Sequence, residues 1–241
     1  MAATASRRRS VETEGSPGLK PAPVDRRARI LEAATRRFAE FGYEAATVRQ
    51  IGDDVSLLSG SLYHHFATKD DMLHEIVQGP VRQMRDNILR IAEADVDAER
   101  RLTALILLDL GELTRNQAVH AILFNERKFF RRRPEFAYVV QAKKAAYLGW
   151  RKVLDEGVAA GLFRPGLDLY LTIATIVRML NTAADWFRNE DPPGPADSGA
   201  DDLERYIDFH LDFILGAVRH PARTAEPIPR AECEDLARFV V

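Results

Sequence analysis

Residues 47–69 hold the side chains with the most chemistry to offer. The run Ser59-Gly60-Ser61-Leu62-Tyr63-His64-His65-Phe66 sets hydroxyl, phenol and imidazole groups around a glycine. Leu62 and Phe66 stand at i and i+4, so on a helix they share one face and can anchor it to a small core. That leaves Ser59, Gly60, Ser61, Tyr63 and His64 on the outer faces. Glycine and small hydroxyl residues let a backbone approach DNA closely, and Tyr and His tips can bond phosphates or base edges. Taken alone, many such short helices are only structural. A metal at His64-His65 is not expected, because adjacent helical residues point in different directions and no acidic or Cys partner stands at ligand spacing. No GxGxxG, GxSxG or HExxH pattern occurs, so neither an enzyme nor a cofactor is expected.

The elements that would position this run are helical. Thr47 can cap a short helix over Val48–Val55 with Val48, Ile51 and Val55 inward. Ser56-Leu57-Leu58 breaks it, and Ser59 can cap the next helix. A helix of two turns, a three-residue break and a second short helix can stand at a steep angle and lay the second helix in a major groove. Upstream, Ile30, Leu31, Ala34, Phe38 and Phe41 repeat at helical spacing from an Asp25 cap to Gly42. Downstream, Thr68 caps a longer helix with Asp70 and Asp71 in its first turn, favourable to the macrodipole. Gly79-Pro80 interrupts that pattern, which predicts one bent helix or two abutting ones ending near Ala94.

Five further helices follow: Asp97–Thr114, Gln117–Phe130, Pro134–Ala160, Asp168–Asn189 and Asp201–Arg219. A Pro/Gly loop occupies 191–199, and a short helix over Ala231–Phe239 is conceivable in the tail. No run alternates as a strand would. The expected fold is all-α, with about nine helices: a disordered basic arm (1–24), a three-helix helix-turn-helix head (25–70), a larger helical ligand-binding and dimerisation domain (71–219) and a mobile C-terminal tail (220–241).

Polar residues Arg178, Asn181 and Asp185 interrupt the otherwise apolar helix 168–189, and aromatic residues Phe124, Tyr147, Trp150 and Trp186 lie on helical faces. Two readings stand: groups that line and orient a ligand in an apolar pocket, or a solvated side and ordinary core. The helices at 168–189 and 201–219 are apolar over much of their circumference, which asks for two buried contacts each.

The chain has 241 residues and a net charge of −2, which taken whole speaks against nucleic acid. The charge is uneven. Residues 1–37 carry nine basic against four acidic residues, and the remainder is net −7. Asymmetry of this kind is a hint of nucleic-acid contact. Arg7–Arg9 have no apolar run behind them, so no secretory signal is expected. The longest apolar stretches, such as Leu105–Leu108, are far too short to span a membrane. The single cysteine, Cys233, fits a reducing compartment, and a cytoplasmic location is expected.

Phe41-Gly42-Tyr43-x-x-Ala46-Thr47-Val48-Arg49-Gln50-Ile51, followed by Gly60-Ser61-Leu62-Tyr63-His64-His65-Phe66-x-x-Lys69-x-x-Met72-Leu73, resembles the TetR family of bacterial transcriptional regulators. The motif covers residues 26–76. The phrase Leu58 to Phe66 is also similar to repressors of steroid and acyl-CoA catabolism within that family. The resemblance implies a homodimeric repressor on a double-stranded, pseudo-palindromic operator, released by a small apolar or acyl-CoA-type effector. It implies DNA contact by Thr47, Arg49, Ser59, Gly60, Ser61, Tyr63, His64 and Lys69, and a four-helix dimer interface from the last two long helices. The alternative is a small-molecule sensor or adaptor whose helix-turn-helix meets protein instead. Two departures stand out. Ser56 sits where the family usually has glycine, and Leu58-Ser59 replaces a Ser cap followed by a basic residue.

Overall fold

The computed structural model describes residues 26–186, 200–222 and 230–237. The arm 1–24 with Arg7–Arg9, the loop 191–199 and residues 238–241 lie outside them. Eleven α-helices and one 3₁₀ turn make up the described chain, with no strand among the described residues.

The head is built from α1 (Arg26–Phe41), α2 (Val48–Asp54) and α3 (Ser59–Tyr63) on the first half of α4 (Lys69–Ala92). Its ends follow local chemistry. Gly42 takes φ +84, the left-handed conformation that stops α1. Thr47 caps α2 and Thr68 caps α4, each in a reciprocal capping box, with Gln50 and Asp71 respectively. Ile30, Phe38, Ile51, Leu62, Phe66 and Leu73 are all buried between these helices. The turn and α3 both close on α2 at Gly52, where a Cβ would lie 2.8 Å from the Leu57 carbonyl oxygen and 3.2 Å from Leu62 Cδ1.

The turn between them corrects one expectation. Ser59 does not cap α3. Leu58 is the N-cap, with no side-chain bond, and the Ser61 N–H already donates to the Leu58 carbonyl at 2.8 Å. Helix geometry thus begins one residue earlier than the Ser residue suggests. Ser56 takes φ +57, a left-handed conformation that disfavours any side chain. Ser56→Gly therefore raises stability by about 0.5 kcal/mol, the left-handed penalty less the larger entropy that glycine loses on folding. Urea unfolding with an unchanged m-value checks this.

α4 runs unbroken through Gly79-Pro80. Its residues from Met72 to Val81 pack in the head core (Met72, Leu73, Ile76, Val77, Val81), and those from Ile88 on pack in the body core (Ile88, Ile91, Ala92). The body surrounds α5 (Ala98–Arg115), whose Leu102, Leu105, Ile106, Leu108 and Leu110 are buried. Around it lie α6 (Gln117–Asn125), α8 (Ala137–Ala159), α9 (Leu169–Trp186) and α10 (Ala200–Val218).

Three further expectations are corrected. The segment expected as one helix, Gln117–Phe130, is two: α6 and α7 (Arg127–Arg132), with Glu126 between them off helical geometry at φ −90, ψ 23. Pro134 opens a 3₁₀ turn, Pro134–Phe136, before α8 begins. The tail expected to be mobile does carry the short helix suggested near Ala231–Phe239, as α11 (Arg230–Ala237), but this helix lies on α5 with Cys233 and Ala237 buried. Arg230 pairs with Asp208 and Arg100 with Glu232, which fixes it to the body.

Candidate nucleic-acid interface and effector pocket

α2 and α3 present one continuous outer surface. Thr47, Arg49, Tyr63 and Lys69 line a single open concavity together with Glu44, Val48 and Thr68. Tyr63 is 55% exposed, so it is not a core residue. Gly60 is exposed, and a Cβ added there would meet nothing within 4 Å. Ser61 is half-buried, His64 is exposed at the helix end, and Ser59 occupies the first helical position. Four of the eight residues that the resemblance implies, Thr47, Arg49, Tyr63 and Lys69, thus line one concavity.

Lys69 is more constrained than a free phosphate ligand. Its ammonium donates to the Tyr43 carbonyl at 2.7 Å and the Ala46 carbonyl at 3.0 Å, and sits 4.1 Å over the Tyr43 ring. Burial lowers its pKa, while Glu44 and Asp70 nearby act in the opposite sense. The lysine clamps the α1–α2 turn that aims Thr47. Leu58 is the surface residue that sequence reasoning passed over. It is 83% exposed at the start of α3, where leucine is a poor N-cap, so the helix gives up capping energy there.

The second site is a cavity of about 450 Å³ between α4, α5, α6, α8 and α9. Phe124, Tyr147, Trp150, Arg178 and Asn181 all line it. Asn181 donates to the Val177 carbonyl within its own helix. Asp185 and Trp186 fall on the last turn of α9, and their side chains lie outside the described residues. Buried Ile88, Trp150 and Ile173 form the inner wall, and exposed Arg127, Lys143, Tyr170 and Arg178 stand at the mouth.

Of the polar lining residues that were missed, three are the most perturbed by burial. Lys143 is exposed as a residue, but its ammonium is turned to the wall and donates to the Leu123 carbonyl at 2.7 Å. Burial, with Arg127 and Arg131 nearby, brings its pKa down to about 8. Burial and Lys143 lower His120 to about 4, which keeps the ring neutral. Asp109 on α5 is 5% exposed, and its Oδ2 is sealed without a hydrogen-bond partner. Burial, with Glu112 adding to it, pushes the Asp109 carboxyl up to about 7.

The Asp109 shift has a consequence for stability. An unfolded aspartate titrates near 3.8 and the folded Asp109 near 7, so the folded chain binds more protons between those values. Stability falls as pH rises through that window and is constant above it. Asp109→Asn and the parent protein thus unfold at similar temperatures near pH 4. By pH 8 the variant leads by up to about 4 kcal/mol, on the order of 8 °C or more for a chain of this size. Calorimetric scans at the two pH values check this.

The cavity and the head meet at Tyr43. Its backbone N–H donates to Glu126 Oε1 at 2.8 Å, its hydroxyl bonds Asp70, and its ring lies 4.6 Å from that of Phe129. Arg133 reaches Asp70 at 3.5 Å from the body side and stacks over Phe129. Glu126 directly follows α6, whose Val119, His120, Leu123 and Phe124 line the cavity. Among the described residues no cluster of three or more His, Cys, Asp or Glu could hold a metal, and no helix is long and apolar enough to cross a membrane.

Comparisons with known proteins agree with this layout. The family model described as bacterial regulatory proteins, tetR family, matches residues 30–76, and one described as a tetracyclin repressor-like C-terminal domain matches residues 95–215. The chain is 34% identical over 193 residues to the HTH-type transcriptional repressor KstR2 of Mycobacterium tuberculosis, covering 80% of this chain and 92% of that protein. The solved structure of the ketosteroid transcriptional regulator KstR2 of Mycobacterium tuberculosis superposes with a TM-score of 0.72 at 29% identity, covering 82% of this chain and 96% of that one. The HTH-type transcriptional repressor AcnR of Corynebacterium efficiens is 26% identical over 83% of this chain and 95% of its own length. With its helix-turn-helix, its helical body and these relatives, the chain belongs to the TetR family of bacterial transcriptional regulators.

Proposed function

We propose that the chain is a homodimeric repressor whose 25–70 head reads a pseudo-palindromic operator and whose 71–219 domain holds a small apolar effector that releases the DNA. One observation carries the reading: a single unbroken helix, α4, bears the head on its first half and lines the 450 Å³ cavity with Pro80, Val81, Met84, Arg85 and Ile88 on its second. A ligand in the cavity bears directly on the helix that sets the head's position.

In this reading α3 enters the major groove. Gly60 and Ser61 bring its backbone close, and Tyr63 and His64 reach phosphate or base edges. Thr47 and Arg49 meet the flanking phosphates, Lys69 holds the turn beneath them, and Leu58 offers an apolar tip suited to a thymine methyl. Dimerisation is supported by α9 and α10. Leu211, Ile214, Leu215 and Val218 face the body core, while Phe209 and Phe213, 61% and 55% exposed, stack on the outer face. Exposed Leu171 on α9 adds to the apolar surface without a partner among the described residues. A two-fold pairing there sets two heads to read related half-sites.

The cavity is largely apolar, and cationic Arg127, Lys143 and Arg178 stand at its mouth. A whole CoA thioester exceeds 450 Å³, so an acyl-CoA effector would bury its acyl part and leave the phosphates among those cations. The KstR2 relative makes steroid-derived acyl groups the first to try.

Fluorescence anisotropy against a genomic fragment library tests the reading. The expected result is selection of palindrome-containing fragments by a species of twice 27.1 kDa, and their release by at least one acyl-CoA or apolar acid. Failure to select any such fragment would sink it.

A further inference from the structure

A carboxyl group buried in an apolar wall with an oxygen left unbonded is costly, and native structures rarely keep one without a use. Asp109 is such a group. It sits near the middle of α5, between buried Leu108 and Leu110, and is one of the residues that line the effector cavity. Among the described residues no side chain of opposite charge is bonded to it, and its Oδ2 has no hydrogen-bond partner. Among the described residues the cations that line the cavity, Arg85, Arg127, Lys143 and Arg178, form no ion pair with Asp109: Arg85 pairs with Asp86, and the Lys143 ammonium donates to the Leu123 carbonyl.

We infer that Asp109 is the polar anchor of the effector cavity, and that it recognises a neutral hydroxyl or carbonyl group at the buried end of an otherwise apolar effector whose anionic end lies among the cations at the mouth. This rests on the cavity being the effector site. Two features favour a neutral group over an amine. A buried ion pair would need the ligand's charge stripped of water with a single carboxyl to repay it. A carboxyl can instead donate to a carbonyl when protonated, or accept from a hydroxyl when ionised, so it serves both groups. Asp109's shift toward neutrality favours the first of these near pH 7. A site built to bond such a group discriminates strongly against the analogue lacking it, because the site's own polar atom is then left unpaired.

Two consequences separate this role from a structural one. A structural aspartate loses stability when replaced. Asp109→Leu instead removes an unpaired buried polar group at nearly constant volume and raises the melting temperature by about 2–6 °C. Specificity moves the other way.

The test uses the full chain and three probes: decanoate, 10-hydroxydecanoate and 10-aminodecanoate, with binding read by calorimetry. The parent protein is expected to bind 10-hydroxydecanoate about 10-fold or more tighter than decanoate. Asp109→Asn should keep that preference, and Asp109→Leu should bind decanoate at least as well as the parent while losing the preference. Unchanged discrimination in Asp109→Leu, a preference for the amine over the hydroxyl compound, or no binding of any probe to the parent would each overturn the inference. Val177→Trp, which fills the cavity, separates the two readings. If it abolishes decanoate binding while Asp109→Leu leaves discrimination intact, only the anchor fails; if it leaves all binding intact, the cavity itself is not the site.

Discussion

Gly60→Glu weakens operator binding at least about 100-fold and leaves the fold untouched. The stability half follows from the free protein. Gly60 is exposed in the second position of α3, and its missing Cβ would touch nothing within 4 Å. Glutamate at a helix start complements the macrodipole and has better helix propensity than glycine. The binding half follows from the groove. A backbone placed against DNA at Gly60 has no room for a side chain, and a carboxylate there faces phosphates. Losing one well-placed contact costs about 1–3 kcal/mol per site, and a two-fold dimer loses it twice. Anisotropy titrations alongside thermal scans check both halves. A variant that binds normally means that α3 does not enter the groove.

The second large effect concerns communication. Glu126→Ala leaves DNA affinity without effector, and effector affinity without DNA, each within about 3-fold, yet cuts the effector-induced loss of DNA binding by about 10-fold. Glu126 is the residue where the cavity-lining α6 ends and its carboxylate holds the Tyr43 N–H at the top of the head. A hydrogen bond to a charged acceptor contributes about 1.5–3 kcal/mol, and typical coupling between regulatory sites is about 1–3 kcal/mol. One such latch can therefore account for most of it. The parallel link, Arg133 to Asp70, is half exposed at 3.5 Å and should carry less. Titrations of DNA at zero and saturating decanoyl-CoA, in parent and variant, give the coupling directly.

Much of the fold was legible because it rests on local chemistry. Thr47, Thr68 and Asp97 are side-chain caps whose acceptors find the third backbone N–H, and Gly42 and Gly161 end helices at positive φ. These signals depend on a handful of neighbouring atoms. What was missed depends on distant ones. Gln117–Phe130 contains no glycine or proline, and the break at Glu126 coincides with a bond to Tyr43, 83 residues away. Ser59 looked like the cap because its side chain suits the role, but the geometry starts at Leu58, a residue with no capping chemistry. α11 is short and follows scattered prolines, so its burial of Cys233 against α5 leaves no local trace.

The candidate sites divide in the same way. The candidate DNA-contacting set could be carried over because a motif fixes its spacing. In the cavity, Phe124, Tyr147, Trp150, Arg178 and Asn181 were visible as aromatic or polar residues on helical faces. Asp109 was not. In the run Leu107-Leu108-Asp109-Leu110 it reads as the solvated side of an amphipathic helix, and only the packing of α4, α8 and α9 around α5 shows that no side of that helix is solvated there.

The charge pattern also takes a clearer meaning. Arg49 and Lys69 are balanced by Asp53 and Asp54 within 47–69, and Asp54 is itself held by Arg37 through two bonds of 2.6 Å. The segment 47–69 is thus formally neutral, so DNA binding as proposed would depend on placed contacts rather than on a broad basic field.

The most direct test of the whole account is selection of binding sites from random double-stranded DNA by the full chain, run in parallel with Gly60→Glu. The account predicts two inverted half-sites whose centres lie one helical turn apart or a multiple of it, enriched by the parent chain and absent with the variant. Enrichment of no common sequence, or of the same sequence by both proteins, would contradict it.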